Sequence, residues 1–251
     1  MLPSQLVELA LRPWGRPLRG TIVDRTPERI VELVPSFPIP GPNHVGQVRC
    51  APARVEALVA EVRDLAASHG LSCIWTLDPD AQPLDLSERL EACGLAFLEE
   101  VAAMVLPAHA DVAPGPSGVE VVDALCDLDT FAAMEAVQAA AFGGGTAPGQ
   151  AERFANGRDE PARQCFLALV DGEPAGAGWA TVREEGVFMN GGSVAPRFQG
   201  QGVYRSLVGA RMALARRLGL SGLATWAKPD TSGPILAWLR FFEVGRLRMH
   251  G

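Results

Sequence analysis

Two stretches of the chain, one in each half, carry apolar residues at the spacing of an amphipathic helix. The apolar positions are Val55, Leu58, Val59, Val62, Leu65 and Ala66 in the first half and Tyr204, Leu207, Val208, Leu214, Ala215 and Leu218 in the second. Recurrence at three and four residues places such side chains on one helix face. Gly70 and Gly219 then stand at the position of a C-terminal cap. Arg211 interrupts the second face, so its charge must reach solvent or find a partner.

The segments after these two glycines resemble each other at an offset of about 150 residues. One reads GLS, the apolar run CIWTL and then DPD, and the other reads GLS, GLATWA and then KPD. Each continues into a short predicted helix and a last predicted strand. We interpret this as a duplicated α/β unit; chance similarity of two short segments is the alternative.

The second half is predicted to alternate strands with helices after an antiparallel start. Strands are predicted over 119–122, 166–170, 175–182, 187–194, 223–226 and 244–249, and helices over 127–142, 202–218 and 233–239. Asp171-Gly172 is typical of a hairpin turn. The predicted fold class is therefore α/β (α+β), with a mixed, mostly antiparallel central sheet and helices on both faces.

A stretch rich in Pro, Ala and Gly, PAHADVAPGPSG, separates the halves and is predicted to be a linker. The predicted organisation is a first domain over 1–106, the linker over 107–118 and a second domain over 119–251. A second glycine-rich stretch, GGGTAPGQ over 143–150, is predicted to be a surface loop.

Composition excludes several classes of protein. With 251 residues, 48% of them hydrophobic and 20% charged, the chain can bury a core, so disorder is not its main state. No apolar run approaches the ~18 residues that a membrane span requires, and no signal peptide is recognisable, so we expect a cytoplasmic protein without a membrane partner. A net charge of -7 argues against a nucleic-acid partner.

Five scattered cysteines indicate free thiols, and four histidines without ligand spacing indicate no metal site.

The charge is distributed unevenly. Residues 186–229 contain no Asp or Glu but carry five arginines and Lys228. A cationic segment in an acidic protein attracts anions, although a solvated helix face is the plainer interpretation.

The glycine pattern inside this segment favours an anion site. The sequence NGGSVAPRFQGQGVYRSLV, residues 190–208, predicts a strand, a loop with Gly200 and Gly202, and a helix. The first N–H groups of a helix have no internal partner, and glycines let an anion approach them, so the loop suits a diphosphate. It lacks the Gly-Lys-Ser/Thr of a P-loop and the G-x-G-x-x-G of a dinucleotide fold.

This segment resembles motif A of the GCN5-related N-acetyltransferases, the GNAT superfamily. The resemblance rests on Val194-Ala195-Pro196 and on Gln199-Gly200-Gln201-Gly202-Val203-Tyr204. It extends over roughly 119–251 and includes the hairpin DGEPAG and a closing Leu239-Arg240-Phe241. By the same comparison the first half resembles a degenerate copy, without the glycine loop in its matching stretch, so the chain resembles a tandem member.

The resemblance implies acetyl-CoA as co-substrate and an amine as acceptor. Backbone groups of Gly192 and Val194 would pair with the pantetheine arm, although a structural bulge explains the adjacent glycines equally well. Amides from Gln199 through Gly200, Gln201, Gly202 and Val203 to Tyr204 would bind the diphosphate, and Ser232 stands near a position that often contacts the cofactor. Arg197 and Arg205 are candidates for the outer phosphates. The acceptor would lie near the loop at 143–150, where Trp226, Trp238 and Phe142 are candidates.

Three departures from the family pattern leave catalysis unassigned. Tyr204 replaces a small residue at the end of motif A, so its bulk must turn away from the phosphates. Leu236 stands where the family usually has a thiolate-protonating tyrosine, and Tyr204 is the only tyrosine. The strand before motif A offers Phe188 and Asn190 where some members have a glutamate base. No catalytic acid or base is therefore named.

Two functions from different classes remain open at this point. The first is an acyltransferase that moves an acetyl group from acetyl-CoA to a primary amine of a small molecule or peptide. The second is a non-catalytic acyl-CoA-binding or dimerisation module, with a homodimer as the assembly left open. A third, a relative that uses charged tRNA, is disfavoured by the acidic charge.

Overall fold

The computed structural model describes residues 2–36, 43–142 and 148–251, and for Phe142 the backbone alone. The N-terminal half contains three helices and five strands within these ranges. They are α1 (Ser4–Leu11), β1 (Ile22–Arg25), β2 (Ile30–Leu33), β3 (His44–Gly46), α2 (Val55–Ser68), β4 (Ile74–Leu77), α3 (Leu86–Ala92) and β5 (Phe97–Pro107).

The C-terminal half repeats the order of strands and helices at greater length. Its elements are β6 (Val119–Asp123), α4 (Leu128–Phe142), α5 (Gln150–Arg158), β7 (Arg163–Val170), β8 (Glu173–Val182), β9 (Val187–Val194), α6 (Val203–Arg217), β10 (Gly222–Ala227), α7 (Ser232–Trp238) and β11 (Phe242–His250). Every strand and helix predicted in this half is present, with ends that differ by up to three residues. The helix α5 was not predicted.

All the strands join one sheet of eleven, in the order β1-β2-β3-β4-β11-β5-β10-β9-β8-β7-β6. Two neighbouring pairs, β3·β4 and β9·β10, are parallel, and the others are antiparallel. Helices cover both faces, and apolar side chains from α1 and α6 form clusters on opposite faces of the central strands. The predicted fold class is confirmed.

The two halves exchange their last strands at the centre of the sheet. β11, from the C-terminal half, lies between β4 and β5, and β5, from the N-terminal half, lies between β11 and β10. Each last strand therefore pairs with the penultimate strand of the other half. The core beneath these strands is shared, because α1 packs Leu6 and Leu9 against Val105, Ala224 and Leu247 from both halves.

The segment predicted to be a linker lies along α6. Arg216, at the C-terminal end of α6, donates from Nε to the carbonyl of Ala108 at 2.8 Å and from Nη2 to the carbonyl of Ala110 at 2.7 Å. At the other end of α6, a Cβ on Gly202 would lie 2.9 Å from Cδ of Pro116. The connection is thus held against the helix. The loop predicted over 143–150 falls mostly outside the described residues, and Gln150 begins α5.

Candidate functional site

The parallel strands β9 and β10 are paired near their beginnings and separate toward their ends. Val187, Phe188 and Met189 pair with Leu223, Ala224 and Thr225, and the register ends there although both strands continue. The hydroxyl of Thr225 donates to the carbonyl of Met189 at 3.0 Å. Thr225 therefore closes the paired part, and an opening lies between residues 190–194 of β9 and the end of β10. Sequence reasoning missed this residue, although a threonine within the apolar run GLATWA was a visible signal.

Two glycines of β9 form a bulge beside this opening. Asn190 pairs with Trp179 and Ser193 pairs with Ala177, which leaves Gly191 and Gly192 opposite the single residue Gly178. Both bulge glycines are exposed, and Gly191 has a φ of +50°. A bulge without side chains gives another chain access to the strand's backbone.

Gln138 of α4 fixes the orientation of this bulge. Its Nε2 donates to the carbonyl of Gly191 at 2.7 Å. Because a trans peptide plane directs its N–H opposite to its carbonyl, the N–H of Gly192 points away from α4. The bulge thus presents a main-chain donor on the side of α6.

The turn that follows β9 leads into the N-terminus of α6. Gly200 and Gly202 have φ values of +76° and +80°, in the left-handed region that favours glycine. Gln199, Gly200 and Gln201 are exposed, and a Cβ on Gly200 would meet no atom within 4 Å. Within the described ranges no acceptor pairs with the amides of Gly200, Gly202 and the first helical residues Val203, Tyr204 and Arg205. This arrangement is typical of an anion site.

One flank of this turn is covered and the other is open. Pro116 packs against Gly202, and Gly115 packs against Ser206 in the first turn of α6. The Gly200 side faces solvent. The tests of this turn are therefore better made at Gln199 than at Gly202, where a side chain would meet Pro116.

The ring of Tyr204 lies on the bulge rather than at the turn. A Cβ on Gly192 would be 2.7 Å from Cε2 of Tyr204 and 3.5 Å from its hydroxyl oxygen. Burial raises the pKa of the phenol, and the charge of Arg211 opposes this rise. The bulk of Tyr204 thus turns away from the turn, and its polar end lies at the glycine predicted to border the pantetheine arm.

Acidic residues from outside the acid-free segment pair with part of its charge. Arg197 pairs with Glu173 at 2.7 Å and Lys228 pairs with Glu99 at 2.9 Å, both on the surface. Arg205 lies with Cζ 5.8 Å from the ring centre of Trp238. Exposed pairs of this kind are weak, so Arg197 and Lys228 can exchange partners at little cost.

Ser232 begins α7 beside the end of β10. Its Oγ accepts a hydrogen bond from the amide of Lys228 at 2.9 Å. Leu236, one turn later, is buried in the cluster beneath α6 and α7. On β9, Asn190 accepts a hydrogen bond at Oδ1 from the hydroxyl of Thr181 at 3.1 Å.

The aromatic residues predicted to line an acceptor site do not meet. Trp226 lies on the α1 face, where its Nε1 donates to the carbonyl of Ala10 at 2.7 Å and its ring is 6.4 Å from that of Trp14. Trp238 is 68% exposed and contacts Arg205 of α6, which packs on the opposite face. The third candidate, the side chain of Phe142, lies outside what the structure describes.

The equivalent opening in the N-terminal half is filled by the chain itself. β3 and β4 are parallel and pair at His44 and Val45. Beyond them, the amide of Gln82 donates to the carbonyl of Val48 at 2.9 Å, and the amide of Cys50 donates to the carbonyl of Gln82 at 3.3 Å. Gln82 therefore pairs with the backbone of Val48 and Cys50, at the position equivalent to the one where the bulge of β9 leaves its backbone accessible.

Three further structural findings concern metal ligands, membrane helices and thiols. Among the described residues, no three side chains of His, Cys, Asp or Glu come together as metal ligands. No helix in those ranges is long and apolar enough to cross a membrane. All five cysteines carry free thiols.

Comparisons with known proteins give a family match over part of the chain and several similar folds. Residues 131–234 match the model of the acetyltransferase (GNAT) family. The structure is similar to a GCN5-related N-acetyltransferase from Kribbella flavida, at 16% identity and a TM-score of 0.68 over 92% of this chain and 90% of that chain. It is also similar to a functionally unknown conserved protein from Staphylococcus epidermidis, at 13% identity and a TM-score of 0.66 over 94% of each chain.

A tandem GNAT protein from the clavulanic acid biosynthesis pathway, in a structure without acetyl-CoA, shares the fold of both halves. It has 18% identity and a TM-score of 0.57 over 99% of this chain and 87% of that chain. No curated protein sequence matches the chain. The family match thus lies in the C-terminal half of the chain, and the fold of the chain is GNAT-like.

Proposed function

We propose that the protein transfers an acetyl group from acetyl-CoA to a primary amine of a small molecule or peptide. The observation that carries the proposal is the open turn at Gly200, whose unpaired amides lie directly after the exposed bulge of β9. A diphosphate at the turn and an extended arm along the bulge suit one elongated ligand. Acyl transfer is the general chemistry of the GNAT family.

The described residues fit this co-substrate. The amides of Gly200, Gly202, Val203 and Tyr204 would hold the diphosphate, because those of Gln199 and Gln201 already donate to the carbonyls of Pro196 and Phe198. Backbone groups of Gly192 and Val194 would hold the pantetheine arm. Ser232 begins α7, where its hydroxyl already accepts from the Lys228 amide. The bound thioester supplies an activated acyl group, and the chain's own residues position it.

The bulge of β9 is suited to stabilise an oxyanion. Gln138 holds the Gly191 carbonyl toward α4, so the N–H of Gly192 is fixed in orientation before any ligand arrives. Preorganised main-chain donors of this kind stabilise the negative charge that develops on a carbonyl oxygen during acyl transfer. Positioning of the amine beside the thioester supplies the remaining catalysis that the geometry supports.

We also propose that this site belongs to a domain spanning 119–251, with 1–106 as a degenerate copy joined through 107–118. The support is the backbone of Gln82, which occupies the equivalent opening of the N-terminal half. One carrier molecule per chain is the expected stoichiometry.

Calorimetry with acetyl-CoA tests this proposal. We expect one molecule to bind per chain, more tightly than about 1 mM, which corresponds to about -4 kcal/mol. Release of free thiol with a panel of primary amines then tests the transfer. No binding at ~1 mM would contradict the carrier site, whereas tight binding without thiol release from any amine would favour the non-catalytic module.

A further inference from the structure

Arg211 carries a buried charge that has no partner of opposite sign among the described residues. Its side chain is 1% exposed in the third turn of α6. In the part of the chain that the structure describes, no acceptor reaches its Nε or Nη2 and no carboxylate pairs with it. Burial lowers its pKa to about 10, so it is still a cation at neutral pH. A buried, unpaired charge is costly and calls for a physical explanation.

The guanidinium lies directly beneath the bulge of β9. Gly178 leaves the space for it, since a Cβ there would be 2.7 Å from Cζ of Arg211. Gly178 is the residue opposite Gly191 and Gly192. Cζ of Arg211 also lies 5.5 Å from the ring centre of Phe166. The side chain thus neither reaches solvent nor finds an anion, which were the two outcomes expected from the sequence.

Tyr204 packs against the same bulge, on the same side of the sheet as Arg211. It precedes Arg211 by two helical turns and packs its ring against Gly192. The charge of Arg211 acts on the phenol, because it lowers the pKa of Tyr204 against the effect of burial. Two glycines, Gly178 and Gly192, therefore admit a cation and the chain's only tyrosine between α6 and the bulge.

We propose that Tyr204 donates the proton to the sulfur of CoA as it leaves, and that Arg211 holds the negative charge that the proton transfer produces. This inference rests on the proposed function, under which Gly192 borders the arm that ends in the thioester. Tyr204 would be a catalytic residue, and Arg211 a positioning residue that acts through it. The two side chains replace the proton donor that Leu236 cannot supply.

The amine nitrogen forms a bond to the acyl carbon, the carbon–sulfur bond breaks, and its electron pair leaves on sulfur. Tyr204 gives its hydroxyl proton to that sulfur and becomes a phenolate beside Arg211. The phenolate recovers a proton from solvent, which takes the surplus proton of the acylated nitrogen. The products are the amide and free CoA, and the side chains are unchanged.

The test is a double-variant cycle on kcat with an amine that serves as acceptor. Arg211→Met keeps the volume of the side chain and removes its charge, so it should lower kcat about tenfold with KM for acetyl-CoA little changed. Because Arg211 acts through Tyr204, the double variant Arg211→Met/Tyr204→Phe should lose no more kcat than Tyr204→Phe alone. Arg211→Lys should retain part of the rate. Cys165 is the other titratable group whose pKa the charge of Arg211 lowers. Burial nevertheless raises the pKa of this thiol to about 12, so it stays protonated.

Stability and turnover separate this role from a structural one. Arg211→Met should leave the melting temperature unchanged or raise it, because the variant removes an unpaired buried charge. Tyr204→Phe should lower kcat about tenfold or more with any amine that serves as acceptor, with KM for acetyl-CoA little changed. Arg217→Met, at an exposed position of the same helix, is the matched control and should change none of these quantities.

The outcomes distinguish this inference from the proposed function. Losses of kcat that multiply in the double variant, or an unchanged kcat in Arg211→Met, would overturn the inference while the carrier site stands. A wild type that binds no CoA would overturn both. A lower melting temperature for Arg211→Met together with an unchanged kcat would assign Arg211 to the packing of α6 alone.

Discussion

Three glycines near the candidate site, Gly178, Gly192 and Gly200, each leave a space of different use. Gly178 admits the guanidinium of Arg211, Gly192 admits the ring of Tyr204, and Gly200 opens to solvent. At all three places the missing Cβ lets a polar group approach the backbone. The charge of the side chains beside these glycines therefore influences which ligands the site can bind.

The exposed turn offers a clean test at Gln199. Gln199→Glu changes no shape but places a negative charge beside the amides expected to bind a diphosphate. We expect affinity for acetyl-CoA to fall about tenfold, or about 1.4 kcal/mol, with a smaller loss at high salt. Calorimetry measures it, and Gln5→Glu, the same change at an exposed position of α1, is the control. Equal losses in both variants would contradict the placement.

A buried ion pair joins α4 to α5. Nε of Arg153 lies 2.7 Å from Oε1 of Glu135, and Nη2 lies 2.8 Å from Oε2, with both side chains almost fully buried. Arg153→Met alone should lower the free energy of unfolding by about 3–5 kcal/mol, because it leaves a buried carboxylate uncompensated. The double variant Arg153→Met/Glu135→Leu should lose less. Urea denaturation measures both, and additive losses would argue against direct coupling.

Single residues were predictable from the sequence only where a motif surrounded them. Gly200 and Gly202 stood in a recognisable loop, and the structure gives both a positive φ. Gly178 stands in no motif, and its neighbours are set by the register of β8 against β9, which no local pattern encodes. The burial of Arg211 likewise depends on that register rather than on the apolar face it interrupts.

At the level of elements, β11 ends in the core of the N-terminal half. His250 is buried, with Nε2 3.0 Å from the hydroxyl oxygen of Ser87 and Nδ1 3.4 Å from the carbonyl of Leu95. Burial lowers its pKa from the ordinary value of 6.5. The imidazole is therefore held neutral in the folded protein more strongly than in the unfolded chain.

This pKa shift predicts a loss of stability in mild acid. The unfolded chain binds the proton more readily, so the stabilisation is complete above about pH 6.5 and is lost as pH falls through the folded pKa. The urea midpoint should fall between about pH 7 and about pH 5, and His250→Gln should lose less of its own midpoint over that interval. An identical pH dependence in both proteins would mean that other groups cause it.

Elements with strong apolar periodicity were predicted well and the polar helix was not. The strand over 187–194 matches β9 at both ends, and the helix predicted over 202–218 differs from α6 by one residue at each end. α5, with the sequence QAERFANGR, has few apolar residues and therefore no periodic signal. It is held instead by Arg153, a contact between distant parts of the chain.

On the scale of the whole molecule, the two halves share one sheet with their last strands exchanged. The sequence indicated a repeat, but each helix–strand ending is compatible with pairing inside its own half. The exchange depends on which strand edges pair over long distances in the sequence. The local pattern of apolar residues does not determine that pairing. The predicted boundary at 107–118 separates the halves in the sequence, but the packed core contains residues of both halves.

Separation of the halves tests this shared core. A cut between Ala113 and Pro114 would give two fragments, each lacking the strand that lies between its own penultimate and last strands. We expect neither fragment to show a cooperative thermal transition alone, and co-expression to restore one transition like that of the intact chain. Circular dichroism measures this. A separate cooperative transition in each fragment would contradict the shared core.

The exchange of β5 and β11 also constrains how such a protein can evolve. Recombination that swaps one half for a foreign copy would deliver a penultimate strand without its proper neighbour, so we expect the halves to be inherited as a pair. The backbone of Gln82 occupies the opening of the N-terminal half, yet that half is still needed, because its last strand completes the sheet beside the other opening. Each half is thus a structural part of the other rather than an exchangeable module.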